Sequence, residues 1–202
     1  MTQWLDKYEE TRDRLEAGHA YDRASERDAC GVGLVCSIDG SPRRDVVEYA
    51  IRSLKAVAHR GAVDPDGLSG DGAGIMAELP QGFFAEQVAS IGQSLRPGPI
   101  CVGQVFLPRT DLGAQDRARA IVETEALRAG FWIYGWRQTP IDLSVVGTKA
   151  GATRPEIEQI MLAPPLDDAG QPLDGEALER ELYLCRRRIE KIGRASCRER
   201  VC

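Results

Sequence analysis

Two residues in the first third of this 202-residue chain have types and settings that can do chemistry, Cys30 and Arg60. Cys30 opens the run CGVGLVCSI, in which Gly31 and Gly33 alternate with Val32 and Leu34. A thiol there is either a small buried core residue or a nucleophile that attacks a carbonyl carbon, and the local pattern leaves both open. Arg60 stands thirty residues later in AHRGA. Its planar guanidinium suits a two-point grip on a carboxylate; the plainer alternative is a solvated loop arginine. Beside it His59 could accept a proton, but His19 is the only other histidine, so no pair offers itself to a metal. The run GDGAG at 70–74 frees backbone N–H groups as a phosphate-cradling loop does. It lacks a following Lys-Ser or Lys-Thr and leads into the strand-like IMAEL, so the phosphate reading fails its context. Asp64, Asp66 and Asp71 could meet an ammonium group, although turn formation is the simpler account of each.

The elements that must position these residues are legible from period and punctuation. CGVGLVCSI is a buried-strand run closed by the turn pair Asp39-Gly40. RRDVVEYAIRSLKAVAHR places Val47, Ala50, Ile51, Leu54, Val57 and Ala58 on one helical face, with Asp45 as the expected N-cap. A strand of about nine residues runs ~30 Å out and a helix of about fourteen returns ~21 Å, which brings the Arg60 loop back toward Cys30. From His59 to Gly74 the chain is a loop rich in Gly and Asp, followed by a short strand at IMAEL. Loops that long inside compact domains are commonly functional. Downstream the pattern predicts a helix over 82–95, a strand over 99–108, a helix over 111–130 and strands over 131–138 and 156–164. A last helix over 175–192 carries Leu178, Leu182, Cys185 and Ile189 on one stripe. This mixture of strands and helices predicts an α+β fold.

Composition narrows the function classes. With 43% hydrophobic and 28% charged residues the chain should fold, and a formal charge of −5 leaves no global field to hold a polyanion. Nucleic acid and an anionic membrane are therefore not expected partners. No stretch is apolar enough to cross a bilayer and the first residues are charged throughout, which predicts a cytoplasmic protein with reduced thiols. Residues 1–29 read as an appended segment, helical at first and then polar without period. The domain proper is expected over 30–192. The final GRASCRERVC, 193–202, has no hydrophobic period and reads as a non-native, adapter-like tail.

Together, ACGVGLV and AVAHRGAVDPDGLSGDGAGI, followed in order by TRPEIEQIML and LYLCRRRIEK, resemble the class II glutamine amidotransferase domain at the front of the glutamate synthase large subunit. The resemblance covers residues 30 to about 191. It implies that 1–29 is a propeptide removed on maturation, that Cys30 becomes the first residue and catalytic nucleophile, and that Arg60 holds the substrate carboxylate. Gly61, Asp71 and Gly72 would line the L-glutamine pocket, whereas His59 would only order its loop. The implied fold is the N-terminal-nucleophile hydrolase type, a four-layer αββα sandwich with two antiparallel sheets, incomplete at the C-terminal end.

The implied activity is the glutaminase half-reaction, in which a Cys thioester releases glutamate and ammonia passes to a 2-oxoglutarate-reducing site outside the chain. Chemistry explains the choice of residue. A thiol with pKa near ~8.5 is mostly protonated at neutral pH, while an α-amine near ~8 can act as base; a terminal cysteine carries both. While Ala29 remains attached, that nitrogen is an amide and cannot accept a proton. No cofactor is expected in this chain, while FMN and an iron–sulfur cluster would belong to the full-length enzyme. The partners implied are the rest of the large subunit and a small electron-donating subunit. Two departures stand out: the oxyanion donors are expected from an Asn-Gly pair, yet the chain has no Asn, and the carboxylate for the substrate ammonium is expected beyond residue 191. The fragment is therefore expected to be inactive by itself. Rival readings are a class II amidotransferase acting on a sugar phosphate or phosphoribosyl group, disfavoured by the long spacing between HRG and GDGAG and by the propeptide, and a non-catalytic binding module with Cys30 in its core.

Overall fold

A computed structural model of the chain describes residues 2–17, 31–70 and 72–196. These fall into two compact units, one within 1–62 and 71–75, the other within 63–70 and 76–202.

In the first unit, helix α1 spans Thr2–Ala17 and helix α2 spans Arg44–Ala56, followed by one 3₁₀ turn, Ala58–Arg60. The face predicted for α2 is shielded as far as Val57, but the helix ends at Ala56 and Ala58 is exposed. Val47, Ala50, Ile51, Leu54 and Val57 are half-buried, while Arg44, Glu48, Arg52 and Lys55 are exposed. Asp45 is not its N-cap. Arg43 holds that position without a side-chain cap bond, and Asp45 sits one residue into the helix. There its carboxylate pairs with the Arg43 guanidinium and places negative charge against the positive end of the helix dipole.

Two predicted strands do not form. Residues 31–37, which follow Cys30 in CGVGLVCSI, and 75–79, IMAEL, carry no strand pairing, and Val32, Leu34, Ile38 and Met76 are exposed. The physical reason is that a strand draws its stability from a neighbour that satisfies its N–H and C=O groups. Among the described residues neither segment is offered one.

The second unit is built on a three-stranded antiparallel sheet, ordered β1 (Cys101–Leu107), β3 (Glu156–Ala163), β2 (Trp132–Gln138). It carries helices α3 (Gln81–Ser90), α4 (Leu112–Arg128), α5 (Thr148–Thr153) and α6 (Gly175–Ser196). Central β3 decides the layering. Its side chains alternate between two apolar clusters, as strand geometry demands. Ile160 and Leu162 join Val122 and Ala126 of α4, Leu178 and Cys185 of α6, and Phe131. Met161 and Ala163 join Phe84 and Val88 of α3, with Ile100 and Tyr134. The stripe predicted on α6 is the one that packs, with Leu182 and Ile189 against the first cluster. Helix α6 continues past the expected end at 192, to Ser196.

Specific polar bonds lock these layers. The Asp111 carboxylate accepts from Ala114 N at 2.9 Å and caps α4. Arg119 on α4 makes a two-point bond to Glu158 on β3 at 2.8 and 2.6 Å. Gln81 at the start of α3 donates to Ile100 O and accepts from Ile100 N, which ties that helix to the entry of β1. The unit thus mixes helices with antiparallel sheet, as expected. Met161 is fully shielded, with no exposed surface, so Met161→Ala should cost about 2–5 kcal/mol in urea unfolding. A change under ~1 kcal/mol would show that the sheet is not packed on both faces.

Candidate active site

The sequence elements around the predicted site fold as short turns. After α2, the 3₁₀ turn ends at Arg60, and Gly61 closes it with an N–H bond to Ala58 O at 3.1 Å. Gly61 then turns extended, φ −88°, ψ 146°. His59 Nδ1 lies 3.1 Å from Ala56 O, so its ring braces the same turn. Gly72 is exposed, and a Cβ there would meet nothing within 4 Å. Cys30 and Asp71 lie outside the described residues, as does the side chain of Arg60. After Cys30 the chain comes near α2 at Gly33, where a Cβ would sit 3.8 Å from Ser53 Cβ.

Between the two motif arms, residues 63–70 form a closed loop in the second unit. Val63 and Gly70 pair antiparallel at its base. Asp64 N donates to Ser69 O at 2.7 Å and Gly67 N to Asp64 O at 2.9 Å. Asp66 is the hub. Its Oδ1 accepts from Leu68 N at 3.0 Å and Ser69 N at 2.7 Å, and its Oδ2 accepts from the Ser69 hydroxyl at 2.6 Å. The turn-forming role is therefore the one Asp66 performs, with its carboxylate fully engaged. Asp64 instead meets Lys149 Nζ at 2.9 Å.

The partner of this loop was not visible in the sequence. Helix α5, which begins after Gly147, packs on it, and Ala150 N donates to Ser69 Oγ at 3.2 Å. Gly147 leaves the space: a Cβ there would lie 2.2 Å from Ser69 Oγ and 2.8 Å from Asp66 Oδ2. The sole hint was a glycine ahead of the helix-compatible TKAGAT, more than seventy residues downstream.

Two of the remaining described thiols, Cys101 and Cys185, are poor rivals to Cys30. Burial pushes Cys101 up to about 11, and burial likewise raises Cys185. Both stay protonated at neutral pH inside the sheet's apolar cluster. Cys36 is exposed. A cleft of about 480 Å³ lined by Gln138, Thr139, Pro140, Ile141, Leu143, Arg154 and Glu156 takes in none of the predicted site residues. Among the described residues no three His, Cys, Asp or Glu side chains converge to hold a metal.

Comparison with known proteins shows the family. Residues 30–201 match the family described as glutamine amidotransferases class-II, so the match opens on Cys30 itself. The chain belongs to the class II glutamine amidotransferases. The large chain of NADPH glutamate synthase from Azospirillum brasilense is 53% identical over 177 residues, 88% of this chain and 11% of that protein. Ferredoxin-dependent glutamate synthase 1 of Arabidopsis thaliana is 35% identical over 88% of this chain and 11% of its own length. Ferredoxin-dependent glutamate synthase 2 of a Synechocystis strain is 38% identical over 82% and 10%. The chain thus spans about a tenth of the length of the curated relatives it matches.

Within this amidotransferase domain, Asp66 titrates abnormally. The Ser69 hydroxyl bond first, then the Ser69 and Leu68 backbone N–H groups, lower its carboxyl from 3.8 to about 2. A lowered folded-state value means that the carboxylate's contribution is intact above about pH 4 and is lost as pH falls toward about 2. The amide proton shifts of Leu68 and Ser69 should accordingly titrate with a midpoint near 2, and a midpoint at 3.8 would contradict the hydrogen bonding. A second expectation concerns space. Gly147→Ala should destabilise by about 1–3 kcal/mol and raise protease cutting within 63–70. Gly151→Ala, whose nearest neighbour is 3.8 Å away, should be neutral or stabilising.

Proposed function

We propose that this chain is the front of the glutaminase domain of a glutamate synthase large chain, and that mature Cys30 hydrolyses L-glutamine. The observation that carries the reading is the 53% identity across 88% of the chain to a glutamate synthase large chain. In this reading the α-amine of Cys30 accepts the thiol proton as sulfur attacks the side-chain amide carbon. Collapse of the tetrahedral intermediate expels ammonia, which takes a proton from the ammonium of Cys30. Water then cleaves the γ-glutamyl thioester, yielding glutamate and the free thiol. Arg60 grips the substrate α-carboxylate through its paired donors, with Gly61, Asp71 and Gly72 lining the pocket.

Several further expectations belong to the same reading. Residues 1–29 act as a propeptide whose removal liberates the amine; the start of the family match at residue 30 supports this. The fold completes itself as a four-layer αββα sandwich with a second antiparallel sheet, and the exposed, strand-like Val32, Leu34, Ile38 and Met76 support that completion. Released ammonia is consumed by a 2-oxoglutarate-reducing site, with FMN, an iron–sulfur cluster and a small electron-donating subunit, all supplied from outside this chain. The enzyme works in the cytoplasm, and the fragment alone is inactive.

An electrophilic glutamine analogue tests the assignment on the complete large chain. Intact-mass and peptide analysis should find residues 1–29 removed and the adduct on Cys30, with the buried Cys101 and Cys185 unlabelled. Labelling of Cys36 or Cys101 with Cys30 spared would sink it, as would glutamine hydrolysis by a protein whose Ala29–Cys30 bond cannot be cut.

A further inference from the structure

We propose that the cleft at the end of the sheet, whose described lining lies wholly within the second unit, binds a free amino acid with an apolar side chain. The proposal does not rest on the glutaminase reading. The local sequence TRPE builds the charged part of the wall. Pro155 disfavours helix for the residue before it, so α5 stops at Thr153 and Arg154 turns extended, φ −58°, ψ 140°. Side chains two places apart in extended chain share a side. Arg154 and Glu156, the first residue of β3, accordingly both line the cleft.

These two charges are shielded without being well matched. The side chains are 23% and 17% exposed, and Arg154 Nη1 stands 3.9 Å from Glu156 Oε2, too far for a hydrogen bond. Glu156 Oε1 accepts from the Gln138 amide, whereas Oε2 has no hydrogen-bond donor and the guanidinium no acceptor among the described residues. Charges drawn out of water call for close partners. A third group in the wall is in the same state. The Thr139 hydroxyl is, among the described residues, the shielded side-chain polar atom that lacks a partner, and its backbone is fixed by a bond from Thr139 N to Ile157 O at 3.0 Å.

An amino-acid zwitterion supplies what all three lack. Its carboxylate accepts the paired donors of Arg154 and, after a turn about χ1, the Thr139 hydroxyl. Its ammonium donates to Glu156 Oε2. A dicarboxylate would set one negative group against Glu156, and a diamine one positive group against Arg154, so the wall selects a ligand carrying both signs. Pro140, Ile141 and Leu143 complete an apolar part of the lining. Ile141 and Leu143 are 37% and 54% exposed, which leaves surface for an aliphatic side chain to cover. The volume of about 480 Å³ lies within the small-ligand range of about 300–1,000 Å³.

The probe is L-leucine, in equilibrium dialysis against the complete large chain after treatment with the electrophilic glutamine analogue, which removes any binding at Cys30. Saturable uptake of one leucine per chain below about 1 mM is expected. On the unsubstituted protein, leucinamide, which lacks the carboxylate, and 4-methylpentanoate, which lacks the ammonium, should each bind at least about tenfold more weakly. Arg154→Met should weaken leucine about tenfold and leave leucinamide unchanged, while Glu156→Gln should weaken leucine about tenfold and leave 4-methylpentanoate unchanged. Absence of saturable uptake overturns the proposal. So does binding of L-glutamate as tight as that of leucine, or a variant that loses leucine and the matching truncated analogue equally. The analogue series on the unsubstituted chain decides the matter even where a variant fails to fold. Failure of the glutaminase reading would show separately, as absence of the analogue adduct on Cys30 with leucine uptake unaffected.

Discussion

Strand β3 has to be covered on both faces, and the architecture of the larger unit derives from that demand. Its last four residues, Ile160 to Ala163, are all buried, and successive side chains on a strand point to opposite sides. Burying the Ile160/Leu162 side calls for one helical layer, α4 with α6; burying the Met161/Ala163 side calls for another, α3. A strand apolar on both sides also wants a neighbour along each edge, because its backbone groups are cut off from water. Strands β1 and β2 meet that demand, in register from Cys101↔Leu162 on one side and Trp132↔Ala163 on the other.

Glycine placement tunes this arrangement where regular pairing would fail. At Gly135 the backbone takes φ +150° and the β2–β3 register shifts. A Cβ at that point would come within 2.9 Å of Ile91. The irregularity matters because it re-aims the strand residues beyond it. Ile133 and Trp136, three residues apart, both reach the α4 side of the sheet, where strict alternation would separate them. Trp136 can then donate its indole N–H to Glu123 of α4 at 2.7 Å. At the polar end of the same sheet, Arg137 bonds Gln159 and Gln87 and lies over the Phe83 ring, so its charge is paired with dipoles and a π face.

The glycine-rich loop uses the reverse logic, in which absence of a side chain makes room for a functional group from far away. Gly147 is close to Ser69 and Asp66 only because it carries no Cβ. Ser69 can be buried only because its hydroxyl and the Asp66 carboxylate satisfy each other and the first turn of α5. A polar cluster that meets all its bonds holds a loop more tightly than its apolar content would suggest. In a domain of the class II glutamine amidotransferases this places an anchored turn between the two motif arms. Two thiols that might compete with Cys30 are withdrawn by the apolar sheet, where burial keeps Cys101 and Cys185 protonated.

Local pattern was sufficient wherever an element's own side chains decide its state. The helix over 44–56 and the stripe Leu178, Leu182, Cys185 and Ile189 come from the 3.6-residue period, and the sheet strands come from short β-rich runs between turns. Family membership was equally legible, because HRG and GDGAG are contiguous words in the chain. Three things lay beyond it. CGVGLVCSI and IMAEL have strand sequences, but a strand exists only beside a partner, and pairing is not a property of one segment. Asp45 has a capping side chain, yet Arg43, two residues earlier, claims its carboxylate one residue into the helix. The Ser69–Gly147–Ala150 contact joins residues more than seventy apart, and only the folded backbone brings a hydroxyl to a helix end that has none of its own. Periodicity is written residue by residue, whereas close approach is a relation between distant segments, and only tertiary structure decides it.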